Sequence, residues 1–257
     1  MLLPKMKSLP MSPVLAWITA VVFGMVPLDS LAQAKRTVKK PSKPAAPAEK
    51  SAAPPPDPAP ASPTSEARSY APNVSLAPED LREFAAQPAA VRQLIESSLA
   101  LARRNLTYTF GSADPAQGGM DCSGFIYYIL RQHGFADLPR DSRGLYTWVR
   151  KARAFRAVIS RAPDAFELDE LLPGDLLFWT GTYAVEQDPP ISHVMLYLGT
   201  EKTGGGRVMI GSSDGRSYHG QKRNGVSVFD FVMPRASQNG ETRATFVGYA
   251  RIPGLRD

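Results

Sequence analysis

Asp121-Cys122-Ser123-Gly124-Phe125-Ile126-Tyr127-Tyr128-Ile129-Leu130 contains the only cysteine of this 257-residue chain. Aspartate is a preferred helix N-cap, and Phe125, Ile126, Ile129 and Leu130 recur at the spacing of a buried helix face. Gly134 supplies a C-terminal stop. Cys122 therefore falls in the first turn, where free backbone N–H groups and the positive end of the helix dipole favour a thiolate. That placement predicts a thiol pKa below the free value of about 8.5 and a nucleophilic sulfur. A small buried residue filling a gap is the plain alternative. The polar, glycine-flanked setting argues against it, and a lone cysteine has no partner for an internal disulfide.

A sulfur nucleophile needs a base, and three histidines are available. His133 lies at the far end of the same predicted helix and cannot reach Cys122. His219 sits in a polar stretch, Asp214 to Asn224, read as an exposed loop. His193 opens a strand, Val194 to Leu198, so a rigid element can fix its ring. A nucleophile at a helix start followed by a histidine on a later strand is the arrangement of papain-like cysteine hydrolases.

The rest of the chain divides by composition. Lys5 and Lys7, the apolar run Val14 to Val26 and the small-x-small site Ala32-Gln33-Ala34 read as a signal peptide over 1–34, cleaved after Ala34. The run is shorter than the roughly 20 residues that span a bilayer. Residues 35–71 are rich in Pro, Ala and Lys and read as a disordered tether. Its basic cluster, Lys35, Arg36, Lys39, Lys40 and Lys43, contributes to a formal net charge of +6. That cluster either contacts an anionic envelope surface or is simply solvated. Nucleic acid is excluded as a partner class, because the charge sits in a tail with no binding fold behind it.

Residues 72–257 are long enough for one domain with its own core. Leu76, Leu81, Phe84, Val91, Leu94, Ile95 and Leu99 predict helix, interrupted at Pro88. Strand patterns follow at 175–179, 194–198, 207–210, 225–229 and 245–250, bounded by turn residues. Helices first and an antiparallel strand run second is the α+β pattern, with the Cys122 helix packed on the sheet.

Five motifs in order, Tyr108-Thr109-Phe110-Gly111, Asp121 to Phe125, Leu138-Pro139-Arg140-Asp141-Ser142, Pro173 to Phe178 and Ile191-Ser192-His193-Val194, resemble the NlpC family of cell-wall cysteine peptidases. The likeness runs over about Asn105 to Ala250. It implies a papain-like fold and a secreted thiol protease of the periplasm or cell wall. Its substrate would be peptidoglycan stem peptides, most often cut between D-glutamate and diaminopimelate. By the same resemblance Cys122 is the nucleophile, His193 the general base, and Tyr108 an oxyanion donor beside the Cys122 N–H. Asp121 and Ser123 match positions that contact the free amine of the stem, although capping and turn hydrogen bonds account for both residues equally well.

At one position the chain departs from the family pattern. Relatives carry a polar residue, commonly histidine, that orients the base; Gly211 stands there, and Ser212, Ser213, Asp214 or His219 are the candidates to replace it. No cofactor is implied, and the acidic residues Glu167, Asp169 and Glu170 have no neighbouring histidine to suggest a metal. Two other functions use the same residues: an amidase or acyltransferase on this fold, and a catalytically impaired wall-binding module.

Overall fold

The computed structural model describes residues 69–233 and 244–256. The predicted signal peptide and nearly all of the predicted tether lie outside the described residues. In chain order the elements are α1 (Ala89–Ala102), β1 (Thr107–Tyr108), β2 (Gly119–Met120), α2 (Cys122–Gln132), α3 (Ser142–Lys151), β3 (Phe155–Ala157), β4 (Leu176–Thr180), β5 (Ile191–Thr200), β6 (Arg207–Tyr218), β7 (Gln221–Asp230) and β8 (Thr245–Ala250). The long strands form one antiparallel sheet in the order β3-β8-β4-β5-β6-β7, while β1 and β2 make a short parallel pair. This is the α+β, papain-like architecture expected from the sequence.

Side-chain alternation sorts the sheet residues onto two faces. Phe178, Val194, Leu196, Ile210 and Val228 join the helices in one buried cluster. Leu177, Trp179, Met195, Tyr197 and Met209 join Val158, Phe231 and Phe246 in another on the opposite face. Because both faces are covered, β5 is buried from Ile191 to Gly199 and reads as a nearly continuous apolar run.

The helical region is shorter than its periodicity predicts. Residues 78–80 and 84–86 are single 3-10 turns, and α-helix begins only after Pro88. Upstream of them the chain is extended along β7: Ala71 N–H donates to Lys222 O at 2.9 Å and Val228 N–H to Val74 O at 2.9 Å. The pattern of Leu76 and Leu81 is thus a packing pattern without a helix behind it. Helix α3, absent from the sequence reading, packs Leu145, Tyr146 and Val149 into the core with Trp148 partly buried beside them, between polar ends Ser142-Arg143 and Arg150-Lys151.

The polar stretch from Asp214 to Asn224 is not a loop. It forms the ends of β6 and β7, paired as far as Tyr218 and Gln221. The turn is closed by His219 (φ 49°) and Gly220 (φ 76°), the left-handed pair that a two-residue hairpin needs.

Candidate active site

Helix α2 starts at Cys122, as its sequence predicts, with Asp121 as N-cap and a left-handed Gly134 (φ 85°) just past its C-terminus. Asp121 Oδ1 accepts the Gly124 N–H at 2.6 Å, and Oδ2 accepts the Gly111 N–H at 2.8 Å. The Arg140 guanidinium donates to both oxygens, at 3.1 and 3.0 Å, and also to Ser123 Oγ at 3.1 Å. The carboxylate is buried, so this set of donors is what makes its charge tolerable there. Asp121 and Ser123 are therefore engaged in capping and turn bonds at the floor of the groove.

The Cys122 thiol is buried against β5, where it receives the backbone N–H of Val194, the residue after His193. His193 is likewise buried and faces Trp179, its cross-strand partner on β4, with ring centroids 5.8 Å apart. Among the described residues the thiol and the imidazole are not hydrogen-bonded to one another, and His193 Nε2 is a buried atom without a partner. In unliganded sites such bonds are often long and tighten only around substrate.

The two residues open into adjoining hollows of one groove. A cavity of about 280 Å³ is lined by Cys122, Asp121, Ser123 and Arg140. A larger one of about 880 Å³ is lined by His193, Trp179, Ser213, Asp214 and Arg216. Tyr108, Phe110 and Tyr183 line both. Phe110 and Tyr183 meet edge to face at 6.1 Å although they are 75% and 44% exposed, a pair of apolar walls standing in solvent. Tyr108 is set by β1, whose Tyr108 N–H donates to Asn224 Oδ1 at 3.1 Å. Burial first, and then the charges of Cys122 and Asp121, hold its phenol well above the ordinary value, so it stays a protonated donor.

Electrostatics correct one expectation. Burial pushes the Cys122 thiol up to about 11, outweighing the N–H groups of Val194, Ser123 and Cys122 itself, while Asp121 adds to the rise. Burial, helped by the Arg216 charge, holds the His193 imidazole well below 6.5. The helix start does favour the thiolate, but removing a charge from water costs more than the dipole returns. The resting pair is a neutral thiol beside a neutral imidazole.

Both shifts enter stability. Below pH 6.5 the unfolded chain protonates His193 while the fold resists, so stability is lost as pH falls. Above pH 9.0 the unfolded chain ionises its thiol while the folded one does so only near 11, so stability is lost as pH rises through that interval. Each limb has a limiting slope of about 1.4 kcal/mol per pH unit. His193→Gln should flatten the acid limb and Cys122→Ala the alkaline limb, read as the difference between wild-type and variant stability at each pH. Curves that run parallel to wild type would show that neither group is perturbed by the fold.

The residue that would orient His193 is missing from its expected place. Gly211 is buried on β6, where a Cβ would stand 2.7 Å from Met195 Sδ and 3.2 Å from Cε. The thioether of Met195, itself fully buried, thus fills the space that a side chain at 211 would need. Of the four substitutes, Ser212 donates to Met120 O at 2.6 Å and is taken. His219 pairs with Glu201 at 3.0 Å and stacks on Tyr218, at the hairpin tip. The Asp214 carboxylate accepts the Tyr70 hydroxyl. Ser213, two residues beyond Gly211, lines the hollow with His193 and makes no side-chain hydrogen bond among the described residues.

Trp179, Tyr183 and Arg216 are groove residues that the sequence did not single out. Trp179 lay inside a strand motif, but Tyr183 sits in the β4–β5 connection and Arg216 at a bulge near the end of β6, and both placements depend on the strands around them.

A family model described as the NlpC/P60 family matches residues 105–229, which span every strand and helix just placed around the groove from β1 to β7. Residues 105–229 are an NlpC/P60 family domain. Members of that family are generally cell-wall hydrolases that act on peptidoglycan. Among solved structures the chain is similar to a Staphylococcus aureus subsp. aureus Mu50 protein described as similar to lipoprotein, NLP/P60 family, with 21% identity and a TM-score of 0.41. That match covers 70% of this chain and 43% of the other, so the matched part spans less than half the length of that protein. A comparison with curated proteins finds no match.

Proposed function

We propose that this NlpC/P60 domain is an exported cysteine endopeptidase that hydrolyses peptide bonds in peptidoglycan stems, between D-glutamate and diaminopimelate. The observation that carries the reading is the seating of Cys122 at the first position of α2, against the strand that bears His193 and in a cavity that Tyr108 also lines. Sγ attacks the amide carbon as its proton passes to His193, so a neutral pair becomes a tetrahedral sulfur adduct and an imidazolium in one step. The Cys122 N–H and the Tyr108 hydroxyl are the donors for the oxygen on which charge develops. The imidazolium then protonates the leaving amine, and water, activated by the same ring, releases the acyl group from its thioester. Phe110 and Tyr183 narrow the entrance and give an extended peptide two aromatic walls.

Within this proposal residues 1–34 direct export and 35–71 tether the domain, 72–257, in the envelope. Mass spectrometry of purified muropeptides after incubation with the full mature chain tests the activity. The expected products are stems split after D-glutamate. Free glycan with an intact stem would instead assign an amidase, and a product carrying the mass of an added amine would assign a transferase.

A further inference from the structure

We propose that Arg216 is a specificity residue of this groove, binding a carboxylate of the substrate on the His193 side and selecting acidic stems over amidated ones. The inference rests on the peptidase reading above and adds to it the charge of the substrate.

Its starting point is a bulge. The β6–β7 ladder pairs Asp214 with Asn224 and Ser217 with Lys222, so one extra residue is accommodated between them, beside a left-handed Gly215 (φ 89°). Bulges re-aim side chains, and this one turns Arg216 from the hairpin into the larger hollow. There its guanidinium lies 4.3 Å from the centroid of the Trp179 ring, in the same hollow as His193.

What Arg216 lacks is an acceptor. Among the described residues it makes no hydrogen bond or ion pair; the ion pairs present join Arg140 to Asp121, Arg156 to Glu170, His219 to Glu201 and Arg251 to Asp175. The nearest hollow-lining carboxylate, Asp214, is turned to the Tyr70 hydroxyl. The indole Nε1 of Trp179 is a second donor, buried and unpartnered. In the groove itself the guanidinium is the unsatisfied donor, and an arginine stacked by its face keeps its edge N–H groups for a planar, bidentate partner. Burial lowers the guanidinium to about 10, and it remains charged at neutral pH. A cation held in that way gains most from an anion that arrives with the ligand. Peptide stems supply one as the α-carboxylate of a γ-linked glutamate or as a free carboxylate of the diamino acid.

The test uses a stem tripeptide, L-alanyl-γ-D-glutamyl-diaminopimelate, made with free carboxylates and with each carboxylate amidated in turn. Wild type is expected to prefer the free acid over one amide by roughly 10- to 100-fold in kcat/KM. In Arg216→Ala that ratio should fall to about 1, and Arg216→Lys should keep part of it. The same ratio is read in binding by calorimetry on a Cys122→Ala background, with and without Arg216→Ala, so capture of the carboxylate is scored even if no peptide is cut. An absence of cleavage by wild type would overturn the peptidase reading, and the binding ratio would then decide the role of Arg216. A wild type with no preference, or an Arg216→Ala variant that weakens acid and amide alike, would overturn the carboxylate role.

Discussion

Cys122→Ala should lower cleavage of muropeptides by roughly 10⁴- to 10⁶-fold while leaving the protein folded. The size of the loss follows from the absence of a spare nucleophile: Cys122 is the only cysteine of the chain, and the serine beside it is held by Arg140 and Asp121. Removing the sulfur of a residue that is 5% exposed leaves a cavity about the size of one methyl group, costing about 1 kcal/mol. For a domain of this size that is a few degrees of melting temperature. Loss of activity with a retained thermal transition therefore separates chemistry from folding. Cleavage retained within tenfold of wild type would sink the thiol mechanism and favour a wall-binding module.

Gly124→Ala should act through the fold and reach the same site. A Cβ on Gly124 would stand 2.1 Å from Ser112 O, 3.0 Å from Ala113 Cα and 3.0 Å from Arg140 Nη2. The first two are backbone atoms of a turn that is itself pinned, since Ser112 O accepts the Asp121 N–H at 3.0 Å and Ser112 Oγ donates to Gly119 O at 2.8 Å. Neither side can yield without moving the start of α2 away from β5. We expect a loss of about 3 kcal/mol or more, a melting temperature lower by roughly 10 °C, and a large fall in kcat even where the variant is folded. A Gly124→Ala variant as stable and as active as wild type would show that α2 has room at its N-terminus, contrary to the close approach described above. The two variants differ in signature: one keeps stability and loses chemistry, the other loses both.

The readable parts of the sequence were those in which a local rule and the tertiary environment agree. Asp121 caps α2 because a short carboxylate reaches the third N–H of a helix wherever the helix lies. The cores of β4 and β5 were legible because strands buried on both faces are largely apolar. The hairpin ends were hidden because Asp214 to Asn224 is polar, and its pairing comes from strand register and the turn at His219-Gly220, not from hydrophobic pattern. The helix expected across Leu76 to Leu99 failed for the complementary reason: buried apolar residues repeat at helical spacing there, but the first part of the segment is held by hydrogen bonds to β7 and by 3-10 turns.

By itself the sequence determined the chemistry on offer: a single thiol at a helix start, a histidine on a strand, a tyrosine upstream, and a glycine where a relative would carry an orienting side chain. Those are properties of residue type, capping and order. Tertiary structure alone decided how that chemistry is poised. Burial, which depends on every surrounding element, outweighs the helix dipole and leaves thiol and imidazole neutral. Met195, on the neighbouring strand, fills the place of the side chain missing at Gly211, and a bulge in a hairpin turns Arg216 into the groove. Desolvation, close packing and strand register are sums over distant parts of the chain, and no local window of sequence contains them.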